Sequence, residues 1–132
     1  VIRDPSGNLY GVNTGDGSND SGNIYEVSPS NGSWTLSLLY DFGGLGEDDA
    51  SGLVMDSAGN LYGVNQSLFN DGSVFKLTPS GSGWTFTTLH NFSGRDGGNP
   101  YGQLVVDSSG NLYGTTESGG TYGYGVIWEI TP

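Results

Sequence analysis

The sequence predicts an all-β chain built from a repeated unit of about 51 residues. Three observations carry that prediction: an eight-residue phrase returns at even spacing, 25 glycines punctuate the 132 residues, and helical periodicity is missing throughout. Asp4-Pro-Ser-Gly-Asn-Leu-Tyr-Gly11 returns as Asp56-Ser-Ala-Gly-Asn-Leu-Tyr-Gly63 and as Asp107-Ser-Ser-Gly-Asn-Leu-Tyr-Gly114, so Asn8, Asn60 and Asn111 lie 52 and 51 residues apart. A second phrase, Ile24-Tyr-Glu-Val-Ser-Pro29, corresponds to Val74-Phe-Lys-Leu-Thr-Pro79 and Ile127-Trp-Glu-Ile-Thr-Pro132. A third links Trp34-Thr-Leu-Ser-Leu-Leu-Tyr-Asp-Phe42 to Trp84-Thr-Phe-Thr-Thr-Leu-His-Asn-Phe92 and has no third copy. The repeats divide as 1–52, 53–103 and an incomplete 104–132.

Each unit reads as four short strands, which in the second copy are residues 53–56, 61–64, 73–78 and 84–92. The Asp-x-x-Gly-Asn phrase makes the first turn. Asp4, Asp56 and Asp107 accept hydrogen bonds from backbone N–H groups just downstream, Gly7, Gly59 and Gly110 take positive φ, and Asn8, Asn60 and Asn111 close the hairpin. In the third strand Phe75 and Leu77 point one way and Val74 and Lys76 the other, a pattern that Tyr25, Val27, Ile24 and Glu26 repeat. The fourth strand is expected to place Trp84, Phe86, Thr88, His90 and Phe92 on one side. Four antiparallel strands with apolar residues on both faces describe a β-propeller-like blade packed between two others. The expected fold is all-β, about two and three-quarter repeats of such blades, open or completed by neighbouring copies.

Composition narrows the function. Only 3 Lys and Arg stand against 14 Asp and Glu, which removes the basic footprint that nucleic acid or anionic lipid requires. A hydrophobic fraction of 33% leaves material for several thin layers rather than one large core. Without cysteine there is neither a disulfide framework nor a thiolate metal site. No apolar run approaches the length of a transmembrane helix.

The residues suited to chemistry read as structural. His90, the one histidine, aligns with Tyr40, and an imidazole that a phenol replaces is a poor catalyst. The three turn aspartates could form a ring of carboxylates, yet each opens a turn that wants a capping acceptor. Glu26, Lys76 and Glu129 are equivalent positions of changing sign, which suits solvated positions. No catalytic residue is assigned, and the expectation is a protein that is not an enzyme. Calcium is the cofactor best suited to the acidic loops, with Asp16, Asp20, Glu47, Asp48, Asp49, Asp71 and Asp96 as candidate ligands, though none has EF-hand spacing. Phe69, Tyr101, Tyr122 and Tyr124 are candidates for stacking on a glycan or other ligand. Asn19, Asn31, Asn65 and Asn91 open Asn-x-Ser sequons for glycosylation.

Gly-Asn-Leu-Tyr-Gly-Thr-Thr at 110–116, Ser118-Gly-Gly120 and Gly125-Val-Ile-Trp-Glu-Ile-Thr-Pro132 together resemble the GloVer-type tandem repeat of secreted, surface-anchored bacterial proteins. Gly72-Ser-Val-Phe-Lys-Leu-Thr-Pro79 and the joining segment Phe92-Ser-Gly-Arg-Asp-Gly-Gly-Asn-Pro100 match as well, and a more distant likeness is to NHL-type propeller repeats. In the first copy Leu45-Gly-Glu-Asp-Asp-Ala50 departs from the usual link. The resemblance implies an extracellular or cell-surface role.

The chain opens on Val1 inside a first strand and closes on Pro132 after a third, which predicts blades of four, four and three strands. Three blades do not close a ring. The expected partners are therefore further repeats or other copies, as a ring of two chains or a filament. The function expected is a non-catalytic structural or adhesive repeat protein, with a glycan- or ligand-binding propeller as the alternative and a calcium-dependent propeller hydrolase behind it.

Overall fold

The computed structural model describes residues 1–15, 21–43, 49–67 and 70–131, and among them every regular element is a strand. The first sheet holds β1 (Ile2–Arg3), β2 (Leu9–Asn13), β3 (Asn23–Ser30) and β4 (Ser33–Asp41), hydrogen-bonded in that order. The second repeats it with β5 (Asp49–Met55), β6 (Leu61–Gln66), β7 (Ser73–Ser80) and β8 (Gly83–Asn91). Every strand pairing within these two sheets is antiparallel. The third sheet contains β9 (Gly98–Pro100), β10 (Val105–Val106), β11 (Leu112–Ser118) and β12 (Ile127–Ile130). There β9 and β10 both pair with β11 and are the two halves of what β5 makes as one strand. The third sheet thus has three strand positions, with no counterpart of β4 and β8 among the described residues.

The strands run longer than the sequence patterns suggest because the joining segments belong to them. Asp49 to Ser51 pair with Gln66 to Val64, so β5 crosses residues 52 and 53, and Gly98 pairs with Ser118 from within the next link. Outer hairpins close on tight turns. Between β3 and β4, Asn31 (φ 49°) and Gly32 (φ 82°) form a two-residue turn with both φ positive, the twist that matches the strands on either side.

Two apolar cores hold the three sheets together in sequence order. Between the first and second sheets, Tyr10 and Ile24 meet Leu53, Leu61, Phe75 and Leu77, and an aromatic cluster closes the outer part. There Tyr40 stacks on Phe86 at 4.2 Å, and Phe42 lies edge-on to Phe75 at 5.7 Å. Between the second and third sheets, Tyr62, Val64, Val74 and Phe92 meet Leu104, Leu112 and Trp128. A middle sheet with apolar residues on both sides is what alternation of a strand between two neighbours requires.

One expectation about the fourth strand is corrected. Val74 pairs with His90 while Phe75 pairs with Thr88, so Leu89 is an extra residue and β8 carries a bulge; Leu39 is its counterpart in β4. The bulge reverses which face the rest of the strand serves. Trp84 and Phe86 pack toward the first sheet, whereas Leu89 and Phe92 pack toward the third, rather than all lying on one side. Tyr25 differs in burial from its repeat equivalents Phe75 and Trp128. It pairs with Gly11 as they pair with Gly63 and Gly114, but it is half-buried, because among the described residues no sheet stands outside the first.

Candidate functional site

The repeated turns are built alike in all three sheets. Gly7, Gly59 and Gly110 have φ of 95°, 83° and 89°, and the N–H of each donates to the carbonyl of the aspartate three residues before it. A Cβ on Gly59 would meet open space, so the reason for glycine there is the positive φ and not crowding. The aspartate Oδ1 accepts from the backbone N–H of Asn8, Asn60 and Asn111 at 2.8 to 2.9 Å, and Oδ2 accepts from the same side-chain amides.

Tyrosine completes this network, a partner that turn chemistry alone does not call for. Tyr10, Tyr62 and Tyr113 each donate a hydroxyl to the aspartate six residues earlier, at 3.3, 3.0 and 3.2 Å. The signal lay in the invariant Asp-to-Tyr spacing of the repeats. The equivalent residues of changing sign touch the same side chain in every copy: the Tyr113 hydroxyl shares its one proton between Asp107 and Glu129, the latter at 3.1 Å, Tyr10 lies 3.5 Å from Glu26, and the Lys76 ammonium stands 5.4 Å above the Tyr62 ring.

The electrostatics follow from these contacts. Burial pushes the Tyr10 hydroxyl up to about 12, with the charges of Glu26 and Asp4 adding to it, and burial likewise raises Tyr62 and Tyr113. Burial alone would raise Asp4 and Asp56, but the hydrogen bonds of Asn8 and Asn60 outweigh it and hold both below the usual carboxylate range. Asp107 is lowered chiefly by the Asn111 amide. These carboxylates are committed acceptors at the ends of separate sheets, which suits a structural cap better than proton transfer.

The other candidates are dispersed. Asp16, Asp20, Glu47, Asp48, Phe69 and Asn19 lie outside the described residues, as does the side chain of Asp49. Asp96 accepts from the Ser93 hydroxyl at 2.8 Å and its backbone N–H at 2.9 Å, contacts that hold its carboxyl down at about 2, and it pairs with His90 at 2.8 Å. Asp71 anchors the following link through its backbone carbonyl, which accepts from Asn99 at 2.8 Å. Among the described residues no three His, Cys, Asp or Glu side chains gather as metal ligands. Tyr101 is exposed beside β9, and Tyr122 and Tyr124, 85% and 91% exposed, stand on the connection into β12. Asn31 sits in its exposed hairpin and Asn91 is exposed at the end of β8, whereas Asn65 is buried in β6.

The outer faces of the two end sheets are the most distinctive surfaces. On the first, Trp34, Leu36 and Leu38 are exposed, and a groove of about 690 Å³ runs between Tyr25, Leu36, Leu38, Val12, Asn13 and Asn23. On the third, Val105 and Ile127 are exposed. Exposed apolar residues gathered on one sheet face, rather than scattered, mark an interaction surface. Where the inner strands of the three sheets meet, a smaller cavity of about 280 Å³ is lined by Val1, Ile2, Val12, Gly52, Leu53, Gly102 and Gln103, with no carboxylate among them.

No curated protein and no solved structure matches the chain. A repeat-family model matches residues 1–132, the same stretch that the three sheets and their recurring Asp-Asn-Tyr turns occupy, and the chain belongs to the Gloeobacter/Verrucomicrobia repeat family.

Proposed function

We propose that this chain is a non-catalytic structural or adhesive repeat module of the bacterial cell exterior that works by associating with copies of itself. The observation that carries the reading is the pair of exposed apolar faces, one on each end sheet, in a chain whose polar networks are spent on holding turns. The Gly-, Ser- and Asn-rich acidic surface and the accessible sequons at Asn31 and Asn91 support an extracellular setting. Sedimentation velocity across a wide concentration range tests association: the mean mass is expected to climb above 13.8 kDa as concentration rises. A chain that stays at that mass throughout refutes the reading.

The exposure of Tyr101, Tyr122 and Tyr124 favours a second reading, a module that stacks these rings on glycan or another flat ligand. Binding on a glycan array that Tyr122→Ala abolishes supports it, and an unaffected array refutes it. Calcium-dependent hydrolysis has weaker support, since the cavity at the inner strands offers apolar and amide groups where converging carboxylates would be needed.

A further inference from the structure

The two exposed end faces are the two halves of an interface that the molecule already makes twice. Ile24, Val74 and Ile127 occupy one repeat position, on the side of a sheet that faces the next sheet. Ile24 and Val74 are fully buried there, while Ile127 is 85% exposed. On the receiving side, Phe75 and Trp128 are buried against the preceding sheet, and their counterpart Tyr25 looks out of the first sheet over the groove. Among the described residues one donor face and one receiving face are thus left uncovered.

We infer that the third sheet of one copy docks its outer face on the first sheet of a second copy, in the register that the internal sheets use. This rests on the self-association proposed above and specifies its geometry. Tyr10 packs edge-on to Trp84 at 6.2 Å across the internal interface. The equivalent residues are Tyr113 and Trp34, one on each free face, so the contact places Tyr113 of one copy against Trp34 of the next. Inside the molecule the rings of Tyr40 and Phe42 rest on Phe86 and Phe75. The groove beside Tyr25 and Leu36 is the equivalent seat, left empty. Among the described residues the third sheet has no fourth strand to fill it, but it carries Tyr122 and Tyr124, also two residues apart and almost fully exposed. These rings fill the groove of the neighbouring copy. Because the two faces differ, the contact is heterologous: it leaves one face of each kind free on a dimer and propagates into a filament unless the rotation closes a ring.

Two exposed-site variants test the geometry. Leu36→Lys places a charge on the receiving face and Ile127→Lys on the donor face, and both side chains are largely in water, so folding is expected to persist and circular dichroism checks it. Each variant alone is expected to lose association by about tenfold or more, while an equimolar mixture forms a 1:1 dimer and stops there. If Ile127→Lys associates as the unaltered chain does, or the mixture stays monomeric while the unaltered chain associates, the head-to-tail contact is overturned and self-association by another face stands. An unaltered chain that is monomeric at every concentration removes both.

Discussion

Gly63→Ala tests the packing logic of the repeat at its tightest point. Gly63 pairs with Phe75 in β6 and β7, and an added Cβ would overlap the end of the ring and lie 2.9 and 3.0 Å from its two edge carbons. Phe75 cannot retreat, since it is fully buried with Phe42 at 5.7 Å and Phe86 at 5.4 Å. Overpacking of this kind costs up to about 3 kcal/mol. The φ of Gly63 is ordinary, so alanine also removes unfolded-state entropy and returns about 0.5 to 1 kcal/mol. The expected net loss is about 2 kcal/mol, read as a lower urea midpoint at unchanged slope. In a Phe75→Leu background the obstructing ring is gone, and the alanine is expected to cost at least about 1 kcal/mol less, a coupling that a double-mutant cycle measures directly. A neutral Gly63→Ala, or one with the same cost in both backgrounds, would refute the claim that this glycine exists to seat the ring.

Further outcomes follow from the same geometry. Gly11→Ala is expected to cost less than Gly63→Ala by urea denaturation, because the half-buried Tyr25 has open space to move into. Lowered carboxyl pKa values mean that the folded chain holds these protons less tightly than the unfolded one; the stability they supply is present above the ordinary carboxylate range and is lost as pH falls below it, for Asp96 through about 2. Asp96→Asn is therefore expected to shallow the acid limb of the urea midpoint and to converge on the unaltered chain as pH falls below 2. Raised tyrosine pKa values act with the opposite sense, so their stability is complete below pH 10 and is lost as pH rises above it, for Tyr10 through about 12, and a spectrophotometric titration is expected to show late-ionising tyrosines that Tyr10→Phe reduces. Copies of net charge −11 repel, so self-association is expected to strengthen from about 0.01 to 0.15 M salt, as sedimentation would record.

Most of the fold was legible because the repeat repeats its punctuation. The Asp-x-x-Gly-Asn phrase locates three hairpins, and the alternation of Val74, Phe75, Lys76 and Leu77 gives the orientation of β7 correctly. The bulges at Leu39 and Leu89 were not legible, because the extra residue is a leucine among leucines and threonines with no glycine to flag it. Gly11, Gly63 and Gly114 carried an unread signal: a glycine of ordinary φ in mid-strand that always pairs with Tyr, Phe or Trp is a floor for a ring. The Asn31-Gly32 dipeptide was a hairpin turn as well as a sequon. Surface function was least legible, since exposure of Leu36 or Ile127 depends on which sheet stands beside it and not on the residue.

That dependence explains why equivalent positions hold different residues, with Tyr40 and His90 as the clearest pair. Both follow the bulge at the outer end of a fourth strand and both look toward the next sheet. Tyr40 finds Phe86 there, on β8, and stacks on it at 4.2 Å and 12°. For His90 the corresponding ring would belong to a fourth strand in the third sheet, which the described residues do not provide. Its side chain is accordingly 39% exposed, and its ring nitrogen turns to the Asp96 carboxylate at 2.8 Å in the adjoining link. Asp96 is in turn fixed by Ser93, so the imidazole braces a loop where the phenol closes a core. A repeat position is thus conditioned by its neighbours in space: the backbone motif supplies the same site in each sheet, and the sheet that stands opposite decides whether an apolar ring or a polar one is the stable occupant.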